Sequence, residues 1–65
     1  MDAEKLIQEY KAANVVLARN DYSEAGMTAY QNALVSGWFA EEALRRLGCS
    51  EAQLQTLRNE AVTGG

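Results

Sequence analysis

The chain has no proline, no histidine and one cysteine among its 65 residues, and each absence excludes something. A single cysteine cannot close an internal disulfide. Without histidine, the commonest zinc ligand and the commonest catalytic base are missing. Without proline, no helix is forcibly interrupted. Long apolar runs are absent too: no stretch approaches the ~20 residues of a membrane span. The opening MDAEKLIQEYK carries charges where a signal peptide would have its apolar segment. A cytoplasmic, reducing location is the expectation. Positive charge is also in short supply, with nine acidic against six basic residues and a net charge of −3. Nucleic-acid binding needs clustered Lys and Arg to displace counterions, so the balance argues against that class of partner. No glycine-rich phosphate loop is present, since Gly26 and Gly37 are isolated and Gly64-Gly65 is terminal.

Length sets a further limit. A domain this short buries only ~60% of the surface its unfolded chain exposes. Such scaffolds lean on disulfides, a metal or self-association, and here only the last remains. We therefore expect a homodimer or a chain that docks on another protein.

What is present is helix-forming. Alanine, leucine, glutamate and glutamine dominate, and the few β-branched residues show no alternating pattern. The expected fold is all-α: a bundle of three to four helices, an antiparallel pair plus short C-terminal helices, completed by dimerisation. One domain covers residues 1–62, with 63–65 as a flexible tail.

The first helix is expected from Asp2 to Arg19, capped by Asp2. Leu6, Tyr10, Ala13 and Leu17 form its buried stripe, widened by Ala3, Ile7 and Val16. Asn14 lies at the edge of that stripe, either half-exposed or as a buried amide that fixes a helix register. Asn20-Asp21-Tyr22-Ser23 reads as a turn. Asp21 with Glu24 has capping-box spacing, and Ser23 is the alternative cap. A second helix runs at least to Val35. Ser36-Gly37 is expected to break or kink the chain, so that Trp38-Phe39 opens a third helical segment to Leu47. Gly48 then supplies a left-handed end. Ser50 and Gln53 make a capping box for the last helix, Cys49 and Leu54 occupy hydrophobic-staple positions, and Leu54, Leu57 and Ala61 form its stripe.

The stretch from Ala25 to Ala40 contains no Asp, Glu, Lys or Arg. Ala25, Gly26, Ala29 and Ala33 recur at helical spacing and would let another backbone approach closely. Met27, Tyr30, Leu34 and Trp38 lie on adjoining rows. Two readings fit: the segment is the central helix of the chain's own core, or it is an interface for a second copy or another protein. Adjacent helical residues point ~100° apart, so Trp38 and Phe39 cannot both be buried in a small core. At least one of them is expected to anchor an interface. The candidate interface residues are Met27, Tyr30, Leu34, Trp38 and Phe39.

Two local resemblances bear on function. Asp21-Tyr22-Ser23-Glu24-Ala25 followed by Tyr30-Gln31-Asn32-Ala33-Leu34 resembles part of a tetratricopeptide repeat. That resemblance implies an antiparallel helix pair joined at Asn20–Asp21. The interval from Ala25 to Tyr30 is one residue longer than the pattern, and no second copy follows. Ala43-Leu44-Arg45-Arg46-Leu47-Gly48-Cys49-Ser50 with Leu54 is similar to the turn of a DNA-binding helix-turn-helix. It implies that the last helix would read DNA, yet Ser50 to Asn59 offers Glu51, Gln53 and Gln55 with one arginine, Arg58. Cys49 precedes a helix N-terminus, which can activate a thiol, but no histidine can partner it and the staple accounts for its place.

No catalytic, metal or cofactor residues are assigned, and the chain is not expected to be an enzyme. The expected role is a regulator, adaptor or inhibitor of a larger protein machine, of the kind that phages and mobile elements carry. A small DNA-binding regulator and a structural subunit of a larger assembly are the alternatives.

Overall fold

The computed structural model describes residues 2–63 and holds three helices: α1 (Ala3–Ala18), α2 (Glu24–Arg46) and α3 (Glu51–Val62). No strand occurs among the described residues. Gly64 and Gly65, the end of the expected tail, lie outside them, and Thr63 caps the C-terminus of α3.

Each helix starts where a side-chain oxygen accepts a free backbone amide. The Asp2 carboxylate accepts from the Glu4 N–H, the Ser23 hydroxyl from the Gly26 N–H and the Ser50 hydroxyl from the Gln53 N–H. At α3 the box is reciprocal, because the Gln53 side chain accepts from the Ser50 amide at 2.7 Å. Ser23, not Asp21, caps α2. Asp21 sits two residues earlier, and its carboxylate accepts the Ser23 amide at 3.0 Å. The short Asp21 side chain thus folds the turn and leaves Ser23 free to start the helix.

α2 is one unbroken helix of 23 residues, so the expected break at Ser36-Gly37 and the separate helix from Trp38 are both corrected. Gly37 is instead a point of close approach. A Cβ placed there would lie 3.2 Å from the Ala13 Cβ of α1. Glycine inside a helix costs about 1 kcal/mol, and here it stands where an added Cβ would press on Ala13. α2 ends in a Schellman motif: the Gly48 amide donates to the Arg45 carbonyl and the Cys49 amide to the Leu44 carbonyl, each at 3.0 Å. Gly48 takes φ +102° as that motif requires.

α1 and α2 run antiparallel, with Tyr10 opposite Glu41 and Ala13 opposite Gly37. α3 packs on the first half of α1 and runs parallel to it: Ile7 meets Gln53 and Leu57, and Lys11 meets Glu60. The core is correspondingly small. Leu6, Tyr10, Leu44 and Leu54 are its large buried members, joined by Ala13, Ala33, Ala40 and Ala61. Ile7, Ala43, Cys49 and Leu57 close its edges, Cys49 and Leu54 at the staple positions. Leu17 and Val16 are half-buried and Ala3 is exposed. Asn14 is also half-buried, and its amide donates to the Tyr10 carbonyl of its own helix. It therefore caps no partner and fixes no register within the chain.

Candidate functional site

The core-facing line of α2 is made of small residues. Ala33, Gly37, Ala40 and Leu44 are buried, and the first three let α1 lie close. Ala33, one of the small residues expected to allow a close approach, is buried on this line. Gly26 is half-buried for a different reason, because a Cβ there would fall 2.6 Å from the Asp21 carbonyl oxygen. Ala25 and Ala29 are exposed, so they pack no second helix within the chain.

The large apolar residues of α2 lie off that buried line. Met27, Tyr30, Leu34, Val35, Trp38 and Phe39 are all exposed, with Trp38 at 56% and Phe39 at 62%. Of the two readings of the uncharged segment, the structure places only its small residues in the core. Trp38 and Phe39 bend toward each other, with ring centroids 5.1 Å apart and an interplanar angle of 70°. This edge-to-face contact lets two adjacent aromatics share one surface. Val35, one turn before both, lies on the same outer face and is also exposed. It is the interface candidate that sequence reasoning missed. Its spacing of three and four residues to Trp38 and Phe39 was the available signal.

Two grooves flank this surface. On one side Leu6, Phe39, Ala43 and Leu47 line a cavity of about 580 Å³ between α1 and α2. At the far end of the hairpin Leu17, Tyr22, Met27 and Tyr30 line one of about 390 Å³, where α3 no longer covers the pair.

The polar chemistry is inward-looking by comparison. Tyr10, Glu41 and Arg58 join the three helices: the Tyr10 hydroxyl donates to Glu41 Oε1 at 2.9 Å and Arg58 Nη1 to the same oxygen at 3.2 Å. Burial pushes the Tyr10 hydroxyl above its ordinary pKa of 10.0, and its bond to Glu41 adds to the effect. Arg45 donates to Glu51 at 2.7 Å and to Glu42 at 2.8 Å. That bond to Arg45 holds Glu51 below the ordinary carboxylate range. Hydrogen bonding from Ser23 does the same for Asp21. Of the two arginines in the helix-turn-helix-like turn, Arg45 is thus engaged with carboxylates and Arg46, among the described residues, is not, and Glu51 opens the helix that would have to read DNA.

No family model, curated protein or solved structure matches this chain. Among the described residues no group of three or more His, Cys, Asp and Glu side chains is set to hold a metal ion, and no helix is long and apolar enough to cross a membrane. Gly48, Ser50 and Gln53 organise the α2–α3 turn, and Cys49 is half-buried within it.

Proposed function

We propose that this chain is a protein–protein interaction module, acting by binding and not by catalysis, as a regulator, adaptor or inhibitor of a larger machine in the cytoplasm. The observation that carries the reading is the surface of α2. Six large apolar side chains stand exposed on one helix, while among the described residues four larger than alanine are buried in the core. Isolated exposed apolar residues are ordinary, but a contiguous patch of aromatic and aliphatic side chains without formal charge marks a surface that another polypeptide covers. The engagement of Arg45 and Arg58 with carboxylates supports a protein partner over a nucleic acid.

The test is differential capture from a lysate of the native source. Wild-type protein and a Trp38→Lys variant serve as baits, both checked for equal helicity by circular dichroism. A protein retained by the first and lost by the second supports the reading. Identical capture by the two baits refutes it.

A further inference from the structure

We infer that α2 is covered by a second copy of itself, packed antiparallel about a two-fold axis at Val35. This deepens the reading of α2 as an interaction helix and rests on it.

The first argument is charge placement. Glu24 is the first residue of α2 and Arg46 the last, and between Ala25 and Ala40 there is no formal charge. Val35 stands midway between Glu24 and Arg46, about three turns from each, so the three fall within ~20° of one line on the helix surface. That line faces away from the buried one of Ala33, Gly37, Ala40 and Leu44. Neither Glu24 nor Arg46 has an ion pair among the described residues. A two-fold axis at Val35 sets each Glu24 against the Arg46 of the other copy, at both ends of the pair. It also opposes the two helix dipoles, whereas a parallel arrangement would stack like charges end against end. Within the pair Val35 meets Val35, and Phe39 lies across Gln31. Trp38 and Leu34 close one side and Phe39 the other.

The second argument is area. A folded monomer of this mass is expected to expose about 4,100 Å², and the chain exposes 4631 Å². The excess is of the size a helix-pair interface removes. An aromatic side chain has roughly 200 Å² of surface, so Trp38 and Phe39 at 56% and 62% exposure offer roughly 110–125 Å² each. With Leu34, Val35 and the stems of Gln31, Glu42 and Arg46, the pair buries roughly 600 Å² per copy, or about 1,200 Å² in all. That is the lower edge of the range for specific interfaces. The groove at Leu17–Tyr30 stays open at the flank for the target of the module, whereas the one at Leu6–Leu47 shares Trp38, Phe39, Glu42 and Arg46 with the seam.

The test is sedimentation equilibrium of the full chain from micromolar to millimolar concentration. The wild type is expected to be a dimer that dissociates on dilution, and Val35→Lys a helical monomer. Glu24→Arg and Arg46→Glu each place like charges at both ends and weaken the dimer about tenfold. An equimolar mixture of those two variants restores wild-type affinity, because every end then carries opposite charges. The doubly reversed chain, E24R/R46E, restores it too, although both substitutions oppose the helix dipole. A monomer at every concentration overturns the dimer, while the capture comparison of Trp38→Lys still judges the interaction module separately. A dimer that the mixture does not restore overturns the antiparallel register.

Discussion

Replacing Tyr10 by phenylalanine separates the packing of the core from the polar clamp that ties its three helices together. The ring is 3% exposed and stays in place, and only the hydroxyl is lost. Its acceptor, Glu41 Oε1, keeps the Arg58 guanidinium at 3.2 Å, so no oxygen is orphaned. The loss is therefore one hydrogen bond to a charged acceptor, about 1.5 kcal/mol. Glu41→Leu is the harsher change, since it strands the Tyr10 hydroxyl in the core while Arg58 keeps its bond to Gln55. It should cost about 3 kcal/mol. About a third to a half of that penalty disappears in a Tyr10→Phe background, giving a coupling of about 1–1.5 kcal/mol between the two positions. Urea unfolding followed by circular dichroism at one fixed protein concentration measures all four species, and each kcal/mol should move the thermal midpoint by about 4–8 °C. The pH dependence supplies a second readout. Because the folded state holds the hydroxyl above 10.0, its contribution is complete below pH 10.0 and is lost as the pH rises into the alkaline range. The Tyr10→Phe variant should lose less stability than wild type there. Equal costs of Glu41→Leu in both backgrounds would refute the clamp.

Three further outcomes follow from the turns and caps. Gly48→Ala meets no atom within 4 Å but must adopt φ +102°, so it should destabilise by about 1–2 kcal/mol through the backbone alone. Gly26→Ala should lower the thermal midpoint even though alanine favours a helix by about 1 kcal/mol, because its Cβ would land on the Asp21 carbonyl; a higher midpoint would show that the turn yields. Glu51 is held below its ordinary value of 4.5 by Arg45, so its contribution is present above that value and is lost as pH falls through the folded one. An acid titration of stability should accordingly be flatter for Glu51→Gln, and coincident curves would remove the ion pair from the account.

The local signals in the sequence were the legible ones. Ser50, Gln53 and Gly48 each act within a few residues of chain, and their hydrogen bonds form as the spacing predicts. The helix stripes of α1 and α3 were equally readable, because Leu6, Tyr10 and Leu54 recur at helical intervals and meet one another. Gly37 was not, because its meaning lies in Ala13, far away in sequence. Beside Ser36 it reads as a breaker, and only the approach of α1 turns it into a contact. The line Ala33, Gly37, Ala40 and Leu44 carried the correct answer, since its four-three-four spacing continues one helical face straight through the suspected break. Asp21 misled in a similar way. Its distance to Glu24 matches a capping box, but Ser23 also accepts an α2 amide, and the carboxylate is left to order the turn.

The choice of small residues for the inner face of α2 explains why its outer face matters. Alanine and glycine let α1 come close, yet they bury little apolar surface, and hydrophobic stabilisation follows the area removed from water. Larger residues at those positions would have pushed the helices apart. The chain instead sets its bulk on the outside, where Val35, Trp38 and Phe39 gain their burial only against another polypeptide. In the proposed dimer, folding and association are drawn from one helix: its inner line fixes the hairpin, and its outer line would supply contact area beyond what a 65-residue chain generates within itself. A partner that binds only the folded form stabilises it by mass action, about 2.7 kcal/mol at a hundredfold excess over its dissociation constant. Set against ~3–10 kcal/mol for a whole domain of this length, that is a substantial share. On the proposed reading, the exposed aromatics on α2 serve to maintain the fold as well as to bind.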